Sequence, residues 1–191
     1  MSRAQTFPTS KLEALADDVI VYLAQTATHG VTFDGTVDGG DVMHAACDSD
    51  WAVGHSTTGW ACFLAGGTFA YASKRQQCIT LSSTESEIVA ASACAVEVAH
   101  FRALLVEMGL PMEDATAIDV DNSGAVELSR DQKSCHRSRH VDRRYFKVRE
   151  LTYEGVVAVR KIDTKLNQAD VLTKPLPKDA FDRHSRTLMG A

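Results

Sequence analysis

Apolar residues along this 191-residue chain recur at two different spacings, and the change from one to the other outlines its elements. The stretch "SKLEALADDVIVYLAQT" predicts a helix, with Ser10 as N-cap, Glu13 three residues on, and Leu12, Leu15, Ile20 and Leu23 near helical spacing. "HG" and the Gly- and Asp-rich "DGTVDGGD" then read as a loop or tether. Three short strands follow, "VMHAACDSD", "GWACFLA" and "TFAYASK", with Gly66-Gly67 as the turn between the last two. A long helix is predicted from about Thr84 to Met108, ended by Gly109, with Ile88, Ala91, Ala95, Val98 and Leu105 on its buried face. "TAIDVD" is a fourth strand and "NSGAVELSR" a short helix. A basic run opens another helix that stops at Gly155, and "VVAVRKI" is a fifth strand. "NQADVLTK" and "KDAFDRHSRTLMG" complete the chain as helices. The order β-β-β-α-β-α-α-β-α predicts an α/β domain over residues 41–191, a three-stranded antiparallel meander continued by two parallel strands and flanked by helices. Residues 1–40 are expected to form a connector helix and tether.

Composition adds limits. An apolar content of 45% is ordinary for a domain with a real core. No run approaches the roughly 18 apolar residues of a membrane span, and "MSRAQTFPTS" has no hydrophobic signal core, so no membrane partner or secretion is expected. Cysteines 47, 62, 78, 94 and 135 form no CxxC pair and read as reduced, mostly buried thiols of an intracellular protein.

A net charge of −5 argues against nucleic-acid binding until its distribution is considered. Residues 1–47 carry six acids against two bases, whereas residues 133–149, "KSCHRSRHVDRRYFKVR", carry seven Lys or Arg against one acid. Such a stripe suits phosphates even on an acidic chain, although a solvated helix face reads the same way.

The acids at element ends carry the chemistry. "SSTESEIVAA" places Glu85 and Glu87 two apart at the mouth of an apolar helix, where charge has no pairing reason to gather. Asp48 ends the first strand, Asp121 ends the fourth, and Asp170 follows the fifth. Singly, each could be a cap. Together, at one edge of a sheet, they would repel unless cations bound between them, and oxygen-rich clusters hold Mg²⁺ or Mn²⁺. Two such metals about 4 Å apart can drive phosphodiester hydrolysis.

The stretches "DSDWA", "STTGWACFLAGGTFAYASKRQQCITLSSTESEIVA", "VDNSGAVEL", "HRSRHVDRRYFKVRE" and "NQADVLTKPLP" cover roughly residues 44–180. Through them the chain resembles the ribonuclease H domain of copia-type LTR retrotransposon polyproteins, and the first helix resembles the connecting helix before that domain. The resemblance implies a ribonuclease H-like fold and an endonuclease that hydrolyses the RNA strand of RNA/DNA hybrids during reverse transcription. It implies a catalytic and metal-ligating set of Asp48, Glu87, Asp121 and Asp170, holding two Mg²⁺ ions that Mn²⁺ can replace. It also implies a reverse transcriptase domain of the same polyprotein as partner, and a place in a cytoplasmic virus-like particle or the nucleus. The expected nucleic-acid contacts are Ser83, Thr84, Asn122, Ser123, Arg137, Arg139, His140, Arg143 and Lys147. The family pattern selects Glu87 for the site and leaves Glu85 to solvent or the helix dipole. It selects Asp48 over Asp50, which strand alternation alone cannot separate.

Departures and rivals bear on this reading. Cellular ribonucleases H often carry a histidine before the last acid, but none lies between His140 and His184 here. Thr164, Lys165 and Asn167 occupy that loop, and slower turnover is expected. His136 and His140 have the four-residue spacing of a zinc pair but no evident third ligand. Core packing suits Trp60, while Trp51 is balanced between packing and stacking on a base. A DDE-type integrase places its glutamate after the second aspartate, whereas Glu87 precedes Asp121. A catalytically inactive or domesticated ribonuclease H-like binding module remains the alternative.

Overall fold

In a computed structural model the chain is described over residues 8–35, 43–130 and 147–191. It divides into two compact units, Met1–Gly30 and Val31–Ala191. The first holds helix α1 (Ser10–Gln25). Its cap is Thr9 rather than Ser10: the Thr9 hydroxyl accepts from Leu12 N, and Ser10 is already helical. No residue of α1 is buried.

The second unit contains β1 (Met43–Asp50), β2 (Thr57–Leu64), β3 (Gly67–Arg75), α2 (Ser83–Glu107), β4 (Thr116–Val120), α3 (Ser123–Arg130), α4 (Lys147–Tyr153), β5 (Val157–Lys161) and α5 (Lys178–Met189). Between β5 and α5 lie two 3-10 turns, Thr164–Leu166 and Gln168–Leu172. The expected α-helix at "NQADVLTK" is therefore the second of these turns. Asn167 caps it, its Oδ1 accepting from Ala169 N.

The sheet order is β3-β2-β1-β4-β5. β1–β2 and β2–β3 are antiparallel, and β1–β4 and β4–β5 are parallel. This is the mixed five-stranded sheet that the alternation of elements predicts. The β2–β3 turn is displaced by one residue. Leu64 pairs with Gly67, so Ala65 (φ 51°) and Gly66 (φ 86°) make the turn. Two left-handed residues suit the twist of a two-residue hairpin. Gly67 is needed for another reason: a Cβ there would lie 2.5 Å from the carbonyl oxygen of Thr32.

Both faces of the sheet are covered, so β1 is buried at nearly every position instead of alternating. Met43, Ala45, Cys47, Trp60 and Cys62 face α2, α3 and α4, where Ile88, Ala91, Ala95, Val98 and Leu105 complete one core. Ala46, Ala61 and Phe63 face the other way and pack with Ala169, Leu172 and Leu188. Trp60 is thus a core residue, while Trp51 is exposed with its ring nitrogen donating to Thr80 O. By length and mean hydropathy α2 also matches a membrane span, a property that buried core helices share, and its buried face is the centre of this core. Cys47, Cys62 and Cys94 are buried free thiols and Cys78 a half-buried one, while Cys135 lies outside the described residues.

Candidate active site

Parallel pairing of β1 with β4 brings their C-terminal ends to the same edge of the sheet, and with them Asp48 and Asp121. The start of α2 reaches the same edge. Its N-cap Ser82 accepts from Glu85 N at 3.1 Å, and Glu85 Oε2 accepts from Leu81 N at 2.7 Å. Glu85 is therefore spent on a reciprocal helix cap. Two residues further, Glu87 turns inward and its Oε1 accepts from Ser49 N at 3.2 Å. The hydroxyls of Ser49 and Ser86 meet at 2.8 Å and tie helix to strand beside it.

One carboxylate oxygen from each of Asp48, Glu87 and Asp121 lies within 4.8 Å of the other two. Asp50 and Glu85 are not in this group. Asp170 stands alongside on the second 3-10 turn, close enough for its carboxyl to interact directly with that of Asp48, and a cation lies beside both. Lys174 Nζ lies 3.0 Å from Asp170 Oδ1 and 3.6 Å from Asp48 Oδ2. The Thr173 hydroxyl donates to Asp48 Oδ2.

The turn is held to the strand by Asn167, which is fully buried and donates from Nδ2 to Cys47 O at 3.0 Å. With both ends of its amide engaged, Asn167 is a strut rather than a replacement for the missing loop histidine. Thr164 and Lys165 are exposed on the preceding turn. Sequence reasoning missed Thr173 and Lys174. Their signal was the spacing of three and four residues after Asp170, which returns a side chain to the same side of a helical turn.

The polar residues expected at nucleic acid gather beside the acids. Ser83 and Ser123 are exposed first residues of α2 and α3. Asn122 caps α3, its Oδ1 accepting from Ala125 N at 3.0 Å. A Cβ on Gly124 would meet Thr84 Cγ2 at 3.0 Å and Asn122 Oδ1 at 3.2 Å, so the two helix starts touch. Arg137, Arg139, His140 and Arg143 lie outside the described residues, as does His136. Lys147 pairs with Glu150 at 2.7 Å on α4. Arg149, grouped with the basic stripe on sequence, instead donates from Nε to Leu128 O and braces α4 against α3.

No family model matches the chain. It is 33% identical over 168 residues, 86% of its length, to the "Retrovirus-related Pol polyprotein from transposon TNT 1-94" of Nicotiana tabacum. The corresponding proteins of transposons RE2 and RE1 of Arabidopsis thaliana are 31% and 30% identical over 89% and 95% of the chain. Among solved structures, LC11-RNase H1 from compost superposes with a TM-score of 0.53 over 75% of this chain and 97% of its own, at 16% identity. This chain is a retrotransposon Pol homologue, and its fold is that of ribonuclease H. It spans 12% of the length of each of these Pol relatives.

The electrostatics of this Pol homologue's site are those of an under-compensated anion cluster. Burial, then the nearby charges of Asp48 and Asp121, push the Glu87 carboxyl up from 4.5 to about 8. Burial also raises Asp48 and Asp170, against the opposing effect of the Thr173 hydroxyl on Asp48 and of the Lys174 ammonium on both. Glu87 Oε2 is buried and has no hydrogen-bond partner. A buried carboxylate oxygen without a donor is costly. A hard divalent cation would satisfy it, and a donor set made only of carboxylate oxygens suits Mg²⁺ or Mn²⁺ rather than a softer metal. The residues present fit the ion that the fold implies.

Proposed function

We infer that the domain is a ribonuclease H, a metal-dependent endonuclease that hydrolyses the RNA strand of RNA/DNA hybrids. The observation that carries this is the Asp48–Glu87–Asp121 trio, with the orphaned Glu87 oxygen inside it. These three residues would ligate Mg²⁺, with Mn²⁺ as a substitute, and Asp170 would border a second ion. When bound, divalent cations supply the charge that polarises a phosphodiester oxygen and favours a deprotonated attacking water.

The protein's own groups prepare the site for this. Ser49 N–H and the Thr173 hydroxyl fix the Glu87 and Asp48 carboxylates, so few rotamers remain to be frozen when substrate arrives. Ser83, Thr84, Asn122 and Ser123 offer hydroxyls, an amide and two helix starts to backbone phosphates. The basic run containing Arg137, Arg139, His140, Arg143 and Lys147 would add sequence-independent grip on the hybrid. RNA would be told from DNA by its 2′-hydroxyls near the carboxylates.

A reverse transcriptase domain of the same polyprotein is the proposed neighbour, with residues 1–40 as connector, in a cytoplasmic virus-like particle or the nucleus. Incubating the protein with labelled RNA/DNA hybrid, duplex RNA and duplex DNA, each with Mg²⁺ or chelator, tests the reading. Only the RNA of the hybrid should be cut, and only with metal. A hybrid left intact under all conditions would refute it.

A further inference from the structure

Lys174 brings a positive charge that the hydrolytic reading does not use. The residue before it is locked in place, since Thr173 donates to Asp48 and packs on Gly59. The lysine side chain, 34% exposed, then extends between two acids that are 1% and 6% exposed. Burial disfavours the ammonium, but Asp48 and Asp170 outweigh it and raise its pKa. The four acids therefore divide into two sets. Asp48, Glu87 and Asp121 converge on a common point with an unpartnered oxygen among them. Asp170, whose buried Oδ1 likewise lacks a hydrogen bond, interacts with Asp48 and lies 3.0 Å from the lysine nitrogen. Asp48 belongs to both sets, through the trio and through Oδ2.

Two carboxylates this close in a half-dry site repel, and one of them must protonate or find a cation. A divalent ion between them would supply two charges but must be gained from solution and partly dehydrated. An ammonium on a flexible four-carbon stem supplies one charge that is always present and can swing aside.

We propose that the Lys174 ammonium holds the place of a second divalent cation between Asp48 and Asp170, so that the free protein binds one Mg²⁺ in the Asp48–Glu87–Asp121 trio and a second only when Lys174 withdraws. This rests on the reading of the trio as a metal site. It departs from the simple expectation of two equivalent ions, and it makes Lys174 a positioning residue for metal rather than an ordinary ion pair. A merely structural pair would not change how many ions bind.

The test is calorimetric titration of the full chain with magnesium chloride, independent of any hydrolysis. The parent should bind one ion at concentrations where K174M, similar in length but uncharged, binds two. K174R should stay at one. In chelator K174M should melt below the parent, and the gap should close in excess Mg²⁺. Asp170→Asn keeps the lysine and brings no two bare carboxylates together, so it tests the idea even where K174M folds poorly. It should bind one ion as tightly as the parent. Loss of the roughly 10- to 100-fold in affinity that disturbing a metal site costs would place Asp170 in the first site and overturn the inference. Equal stoichiometry and affinity in the parent and K174M would overturn it while leaving the metal site standing. A parent that binds no Mg²⁺ would overturn both.

Discussion

Gly59 pairs with Asp48 across the β1–β2 ladder, and the space a side chain would need there is occupied by the turn that carries Asp170. A Cβ on Gly59 would lie 2.7 Å from Thr173 Cγ2 and 2.8 Å from Leu172 Cβ. This close approach lets Thr173 reach Asp48 and Lys174 reach both acids. Gly59→Ala should destabilise the domain by about 1–3 kcal/mol through overpacking. It should also lower hydrolysis at saturating substrate, because the turn must move away from β1. Thermal melting and a hybrid-cleavage assay check this, and parental values in both would show that the turn does not depend on that close packing.

Glu85 and Glu87, two residues apart, should respond to substitution in opposite ways. Glu85→Ala removes the bond to Leu81 N and should cost roughly 0.3–1.5 kcal/mol of stability with the rate at saturating Mg²⁺ unchanged. Glu87→Gln removes a buried carboxylate and should abolish hydrolysis while raising the melting temperature of the metal-free protein near neutral pH. Melting curves in chelator, paired with cleavage rates, separate the two.

The direction of the pH dependence follows from Glu87. Its folded-state pKa of about 8 lies above the ordinary 4.5, so folding takes up a proton between those values. A folded state that binds more protons than the unfolded one loses stability as pH rises. Metal-free protein should therefore melt progressively lower from about pH 4.5 to pH 8. Asp48 and Asp170, also raised, act in the same direction. Mg²⁺ must displace the Glu87 proton, so its affinity should climb across the same window. A melting temperature that rises through this range in chelator would contradict the assignment, and Glu87→Gln should flatten the profile.

The periodicity of the chain was a sound guide wherever packing follows it. Ile88, Ala91, Ala95, Val98 and Leu105 are all buried, as three- and four-residue spacing on one helix face requires. It misled where a residue serves a neighbour distant in sequence. Gly66-Gly67 reads as a turn, yet Gly67 is a glycine because the chain at Thr32 passes over it, and Ala65 takes the turn position. Asp48 and Asp50 share a strand face, so alternation could not rank them. The family pattern favoured Asp48, and Asp48 is the one that joins Glu87 and Asp121. Arg149 looked like part of a cationic stripe because charge is visible in a sequence and a carbonyl partner on α3 is not. Lys174 did not stand out because acids alone mark the site in the sequence, and the cation that compensates them lies four residues beyond the last.

Grip should be electrostatic and separable from chemistry. Arg139→Ala combined with Arg143→Ala should weaken hybrid binding and flatten its dependence on salt, by about one counterion for each phosphate no longer neutralised. The rate at saturating substrate should change much less. Binding measured across a salt series decides it, and an unchanged affinity and slope would make the basic run a solvated face.

The most direct measurement compares the parent with Asp121→Asn on an end-labelled RNA/DNA hybrid in Mg²⁺. Asn removes one anionic ligand from the trio and little volume, so the variant should keep the parent's melting transition. The parent should cut the RNA strand to 3′-hydroxyl and 5′-phosphate ends, and the variant should lose most of that rate. Cleavage by Asp121→Asn at the parental rate, or no cleavage by the folded parent, would contradict the assignment of Asp48, Glu87 and Asp121 as the hydrolytic centre.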